Sequence, residues 1–327
     1  MAKIRFTPSI FCAAGILLCF GAQAASLLTQ SEVQWIEQTE QQAIEDGVTS
    51  ETAHAALDGF VPNPRVVELD QKQPETTVTF DTYRSNTVTR ARVKKGAELM
   101  SRYADQLDAI EARTGVPAQV TVALWGIESS FGQNIGGFET INSLATLAYE
   151  GRRADFFRTE LFAALHIIDQ EHMNIPDLRG SWAGAMGQCQ FMPSTYLKYA
   201  LDGDGDGRRD IWNNSVDALA SIANYLSAEG WQSDLTWGRE VEANGIDASE
   251  VGLTQTHSLQ EWADKGVTNS DGSPLPHRDL QASLIKPDGA EGASFLVYEN
   301  FRALMRWNRS TYFATSVGLL ADAIKQN

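Results

Sequence analysis

Apolar positions recur at helical spacing through most of the chain. Between Arg90 and Ala112, Val93, Ala97, Met100 and Ala104 fall on one face, so the spacing predicts one long helix. Ser31 to Asp46 opens on Ser31-x-x-Gln34, a capping-box pattern, and stops before Gly47. A shorter helix is expected over Glu51–Asp58, ended by Gly59. Pro62, Pro64 and Pro74 punctuate the next stretch, which reads as extended from Val61 to Pro74. Pro117 suits the first turn of a helix that carries Val120, Ala123, Leu124 and Ile127 and ends near Gly132. Further helices are expected at Ile141–Tyr149, Ala154–Gln170, Pro193–Ala200 and Ser215–Ala228. After Trp237 the helical period fades, and Leu284–Val297 reads as two strands around a Pro287-Asp-Gly289 turn. Helix returns over Glu299–Lys325. No βαβ alternation and no Gly-rich phosphate loop appears, which excludes a doubly wound sheet. The pattern predicts a mainly α (α+β) fold with a small β-rich insert at 236–297.

The first residues read as a secretory leader. Lys3 and Arg5 precede the apolar run Ile10–Phe20, and Ala22-Gln23-Ala24 is a cleavage signature. Cleavage after Ala24 is expected. No later run is long and apolar enough to span a bilayer. Cys12 and Cys19 leave with the leader, so Cys189 alone remains and no intrachain disulfide is possible.

Composition narrows the partners. The 327 residues are 43% hydrophobic and 21% charged, enough to bury a sizeable core. Lys and Arg number 26 against 42 Asp and Glu, a net charge of −16. Removing Lys3 and Arg5 takes it to −18. Nucleic acid binding runs on cationic neutralisation of phosphates, so a chain this acidic is excluded from that class.

Three stretches carry candidate chemistry. Ala123–Gly132 places Glu128 as a single acid in an apolar helix, with Leu124, Trp125 and Phe131 at helical neighbour spacing. A carboxyl against an aromatic wall is desolvated, holds its proton near neutrality, and suits general acid work on a glycosidic bond. Ser181–Ser194 packs small residues with Gln188 and Gln190, and Gln190 offers a donor and an acceptor to a sugar substituent. Asp202-Gly-Asp204-Gly-Asp206-Gly207 matches the first half of an EF-hand loop. In such a loop Arg208 gives its backbone carbonyl, and position 12 is Asn213 instead of the usual Glu. Hard oxygen donors point to calcium in a structural role, with sodium or magnesium as alternatives. His166 and His172 lack the H-E-x-x-H spacing, so zinc hydrolysis has no support.

Glu128-Ser-Ser-Phe-Gly132 followed by Ala183-Gly-Ala-Met-Gly-x-x-Gln190-Phe-Met-Pro-Ser194 resembles the lytic murein transglycosylase B family, over about residues 30–327. The resemblance implies a lysozyme-like helical core at 96–235, a helical region at 25–95 before it, and a C-terminal helix at 298–327 completing the cleft. It implies cleavage of peptidoglycan between N-acetylmuramic acid and N-acetylglucosamine, with 1,6-anhydro-N-acetylmuramic acid ends and Glu128 as acid and then base. Tyr83, Ser181, Gln190, Tyr225 and Asn308 stand at positions that contact substrate in that family. Asp217 matches the acid that closes a slightly longer metal loop, at 202–217. Trp307 and Phe313 replace tyrosines found in some relatives, and Cys189 is expected to be a buried bystander. Glu139, Asp155 and Asp177 are the acids available for a two-carboxylate scheme. The implied location is the periplasm, as a monomer, with glycan strands as substrate and a cell-wall enzyme complex as partner. The competing readings are a hydrolytic muramidase using Glu128 and a non-catalytic, calcium-dependent wall-binding protein.

Overall fold

The computed structural model describes residues 28–72, 78–150, 152–171 and 173–327. The expected leader at 1–24, with Cys12 and Cys19, and His172 lie outside them. None of the described helices is long and apolar enough to cross a membrane.

A 16-residue helix and three short ones come first: α1 (Gln30–Glu45), α2 (Ser50–Leu57), α3 (Pro64–Gln71) and α4 (Phe80–Thr87). The capping box of α1 is Thr29 with Glu32, one turn-half earlier than the Ser31–Gln34 pattern suggests. The extended reading of 61–74 fails at α3. Pro64 occupies the first helical position, where a missing N–H costs nothing, and the Asn63 side chain accepts from Arg65 N at 3.0 Å. Helix α4 is capped by Thr79 and was not foreseen, because its eight residues show little apolar periodicity.

The core helices follow: α5 (Arg90–Arg102), α6 (Ala104–Thr114), α7 (Ala118–Ser129), α8 (Thr140–Glu150), α9 (Ala154–Glu171), α10 (Pro193–Tyr199) and α11 (Ser215–Ala228). The single helix expected over 90–112 is two, broken where Tyr103 leaves helical geometry at φ −102°, ψ 24°. Helix α7 is the centre: Val120 to Gly126 are all buried. Between α7 and α8, strand β1 (Phe138–Glu139) pairs antiparallel with β2 (Arg179–Gly180).

An antiparallel sheet occupies 238–297. Strands β3 (Gly238–Glu242), β4 (His257–Ser258), β5 (Thr268–Asn269), β6 (Gln281–Ile285) and β7 (Ser294–Val297) lie in the order β4-β6-β7-β3-β5. Helix α12 (Leu259–Asp264) contributes Leu259 and Trp262 to a separate apolar cluster with Leu284, Leu296 and Tyr298. The chain ends in α13 (Glu299–Trp307) and α14 (Thr311–Gln326), where one helix was expected. Asn308, at φ −143° and ψ 122°, makes the break. Helix α14 then packs on α7 and α5, so the last segment closes the main core. The architecture is mainly α with a small sheet, as the patterning predicts.

Candidate active site

Helix α7 ends in a sharp left-handed turn that places Glu128. Ser130, Phe131 and Gly132 adopt φ of 52°, 61° and 80°. Ser129 Oγ donates to Trp125 O at 3.2 Å and accepts from Gly132 N at 2.9 Å, which satisfies groups left open at the helix end. Phe131 therefore does not sit one turn above Glu128 as helical spacing suggests. Its ring folds back over Gly126, where an added Cβ would stand 2.6 Å away, and meets Trp125 edge-on at 5.6 Å.

The wall beside Glu128 comes from the far end of the chain. Trp307 Nε1 donates to Glu128 Oε1 at 2.6 Å. The indole is itself held by Tyr225 at 4.8 Å and Phe191 at 5.3 Å between ring centres. Glu128 keeps a solvent-facing edge, yet protein crowds the rest of the side chain. Desolvation pushes its pKa up from 4.5 to about 7, against the opposing pull of the Trp307 N–H. No second acid takes part in this balance. Glu139 lies 3.6 Å from Arg179, Asp155 is exposed near Arg158, and Asp177 accepts from Asn174.

The expected substrate contacts divide into two groups. Tyr83 feels the Glu128 charge, Tyr225 packs on the Trp307 ring that bonds Glu128, and Gln190 is fixed by backbone in the neighbouring segment. Tyr225 donates its hydroxyl to Arg306 O at 2.8 Å, so its ring is the part left to offer. Gln190 adopts φ 52° and donates both amide hydrogens to backbone, at Gly187 O (2.9 Å) and Ile135 O (3.2 Å). Of the donor and acceptor expected there, the acceptor remains. Tyr83 has its pKa raised by burial and by the nearby Glu128 charge, and its ring lies 5.8 Å from Tyr312. Ser181 and Asn308 bond elsewhere: Ser181 Oγ accepts from Ala185 N at 3.0 Å, and Asn308 Oδ1 accepts from Ser310 N at 3.1 Å. Asn308 still follows Trp307 directly, and the bridge Gly180↔Met186 ties Ser181 to the Gln190 segment.

Sequence reasoning missed Trp307 as the partner of Glu128 and Gln188 as a brace. Gln188 Oε1 accepts from Trp125 Nε1 at 2.9 Å while its Nε2 donates to Trp212 O at 3.2 Å, so this amide is structural. Cys189 is wholly buried, its thiol pushed far up by desolvation, and its Sγ lies 3.3 Å from Ala218 O. Nothing local marks Trp307, which lies 179 residues from Glu128.

The acidic loop forms a compact oxygen cluster. Asp202, Asp204 and Asp217 each bring a carboxylate oxygen within 4.8 Å of the others. Asp206 stays outside this triad and accepts from Arg208 N at 2.8 Å, and Arg208 itself is exposed. Asp217 is 0% exposed and accepts from Gly203 N at 2.8 Å and Asp210 N at 2.7 Å. Burial raises its pKa, and the Asp204 and Asp202 charges add to the rise. Three crowded oxygens with mutual repulsion are the donor set a hard cation relieves.

Known proteins resemble this chain in sequence and fold. Residues 31–322 match the family model of the transglycosylase SLT domain. The chain is 35% identical over 246 residues to the membrane-bound lytic murein transglycosylase B of Escherichia coli K12, covering 74% of this chain and 66% of that protein. It superposes on SltB3 of Pseudomonas aeruginosa, solved with NAG-anhNAM-pentapeptide, with a TM-score of 0.87 and 45% identity over 91% of this chain and 80% of that one. It also matches the Escherichia coli lytic transglycosylase Slt35, solved with calcium, with a TM-score of 0.76 and 30% identity over 91% and 93% of the two chains. With nearly all of its described length inside one family model, the chain belongs to the transglycosylase SLT domain family.

Proposed function

We propose that this protein is a lytic transglycosylase of peptidoglycan, cleaving between N-acetylmuramic acid and N-acetylglucosamine and leaving 1,6-anhydro-N-acetylmuramic acid ends. Family membership and the likeness to a relative solved with an anhydro-muramyl peptide support the reading. The observation that carries it is Glu128, a single carboxyl brought to a pKa of about 7 with no second acid shaping it.

One such group can serve twice. Protonated Glu128 gives its proton to the glycosidic oxygen as the C1–O bond breaks and the bonding pair leaves with that oxygen. The substrate's own N-acetyl oxygen stabilises the cationic C1. Glu128, now a carboxylate, takes the proton of the C6 hydroxyl as that oxygen closes on C1. The proton balance returns Glu128 to its acid form, and no water is consumed. A pKa near the working pH suits a group that acts in both directions. The indole N–H of Trp307 is a donor only. It therefore claims Oε1 as an acceptor and leaves Oε2 to carry the acidic proton.

Around this centre, the rings of Tyr83 and Tyr225 pack against sugar faces, and the Gln190 amide oxygen accepts from an acetamido N–H. Ser181 and Asn308 supply outer polar contacts. Asp202, Asp204 and Asp217, joined by Asp206 and the Arg208 carbonyl, hold a calcium ion whose role is structural. The leader sends the enzyme to the periplasm, where it works as a monomer on glycan strands, within a cell-wall enzyme complex.

Digestion of purified peptidoglycan, read by mass spectrometry, tests the proposal. Soluble products one water lighter than reducing muropeptides, lost in Glu128→Gln, are expected. Reducing ends from the same residue would make the enzyme a hydrolytic muramidase. Full activity in Glu128→Gln would overturn the assignment of the acid.

A further inference from the structure

The Pro287-Asp-Gly289 turn between β6 and β7 has no part in the reaction above, yet it reaches the start of α4, 208 residues away in sequence. Asp288 Oδ1 accepts from Phe80 N, and Oδ2 accepts from Asp81 N at 3.0 Å. These are the first two amides of α4, which have no partner inside the helix. The helix's own cap leaves them free: Thr79 Oγ1 accepts from Thr82 N at 3.3 Å. Asp288 Oδ1 also accepts from the Tyr312 hydroxyl of α14 at 3.0 Å. One carboxylate thus joins the sheet, α4 and α14.

The surrounding contacts repeat that link. Phe80 is buried edge-on to Phe295 of β7 at 5.9 Å and to Tyr312 at 5.4 Å. Arg84 of α4 lies 3.7 Å from Glu240 of β3. The turn is built around Asp288: a Cβ on Gly292 would stand 2.6 Å from the Asp288 Cβ. What α4 carries is Tyr83, one turn past Phe80, its ring 5.8 Å from Tyr312. Donation by two N–H groups and one O–H to an ionised acceptor makes this a directional clamp.

We infer that Asp288 is a positioning residue for the glycan cleft: it fixes α4 and Tyr312, and through them sets the Tyr83 ring. The sheet is then the seat of one cleft wall. The inference rests on the assignment of Tyr83 to the cleft made above.

A double-mutant cycle on the full chain tests it. Initial rates on soluble glycan strands, and calorimetric binding of a NAG-anhNAM disaccharide, are measured for Asp288→Ala, Tyr83→Ala and the pair, well below each Tm. Asp288→Ala is expected to lower kcat/KM and disaccharide affinity about tenfold, with the pH profile unmoved. In the Tyr83→Ala background the same change is expected to matter less than about twofold, since the residue it acts through is gone. Additive losses, or a lowered Tm with kcat/KM and binding intact, would overturn the inference. Asp288→Asn, which keeps one acceptor oxygen, is expected to fall between, and it serves as the variant if Asp288→Ala does not fold. Loss of anhydro products from the unmutated protein would sink the proposed reaction alone, because the binding cycle reads Asp288 without chemistry. A silent Tyr83→Ala would sink the Asp288 inference while leaving the reaction standing.

Discussion

The Glu128 carboxyl ionises freely in an unfolded chain and at a cost in the folded one. Well below pH 4.5 both states hold the proton and no penalty arises. As pH rises toward about 7 the unfolded chain releases its proton first, so the folded state loses stability through that window. Above it the deficit levels off, at about 3 kcal/mol for a shift of this size. Glu128→Gln is therefore expected to raise Tm relative to the parent at pH 8 and to leave it unchanged at pH 4, while abolishing cleavage; thermal melts at the two pH values check it. In the parent, kcat/KM is expected to fall above pH about 7 as the acid form is lost. Trp307 opposes that shift by donating to the carboxylate. Trp307→Phe is expected to move the alkaline limb upward and to lower kcat, and an unmoved limb would deny the hydrogen bond any weight. The desolvation of Glu128 was legible in sequence from the apolar run of α7, although the aromatic wall beside it comes from elsewhere. Its indole partner was not, because a contact between chain-distant residues leaves no local pattern.

Helices announced by apolar faces and caps were read within a few residues, as α7, α9 and α11 show. What escaped were the breaks and three small helices, α3, α4 and α12. Tyr103 and Asn308 interrupt periodic segments without Gly or Pro, and the periodicity alone runs straight through them. Pro64 misled because a proline forbids a helix interior but not its first turn. The left-handed turn after Ser129 escaped too, since Ser130 and Phe131 are not residues that advertise positive φ. Close helix contacts are the other feature that spacing does not display. Gly318 of α14 sits against the buried Trp237 ring, where an added Cβ would stand 2.2 Å from Cδ2. That ring is pinned by its Nε1 bond to Asp322 at 2.9 Å and has no free direction to yield. Gly318→Ala is expected to cost about 1–3 kcal/mol, read as a lowered Tm by calorimetry.

Two apolar clusters share the chain, one spanning the helices and a smaller one under the sheet, with α14 and the Asp288 turn joining their territories. The acidic loop adds a third source of cohesion. Asp217 ties Gly203 to the start of α11, and the carboxylates around it repel one another without a cation. Calcium is expected to raise Tm and a chelator to lower it, by about 2.7 kcal/mol of stability at a hundredfold excess over Kd. Asp217→Asn is expected to remove the calcium response. A Tm indifferent to both calcium and chelator would deny the site. The loop motif was visible in sequence; the exclusion of Asp206 from the close triad was not, because it depends on which way each carboxylate turns. The Glu128–Trp307 bond also has a consequence for how the protein comes into being. A ribosome delivers Glu128 long before Trp307, and a chain stopped anywhere between them carries the acid without its indole. The full setting of the proposed acid thus exists only once Trp307 has been made and folded back against α7.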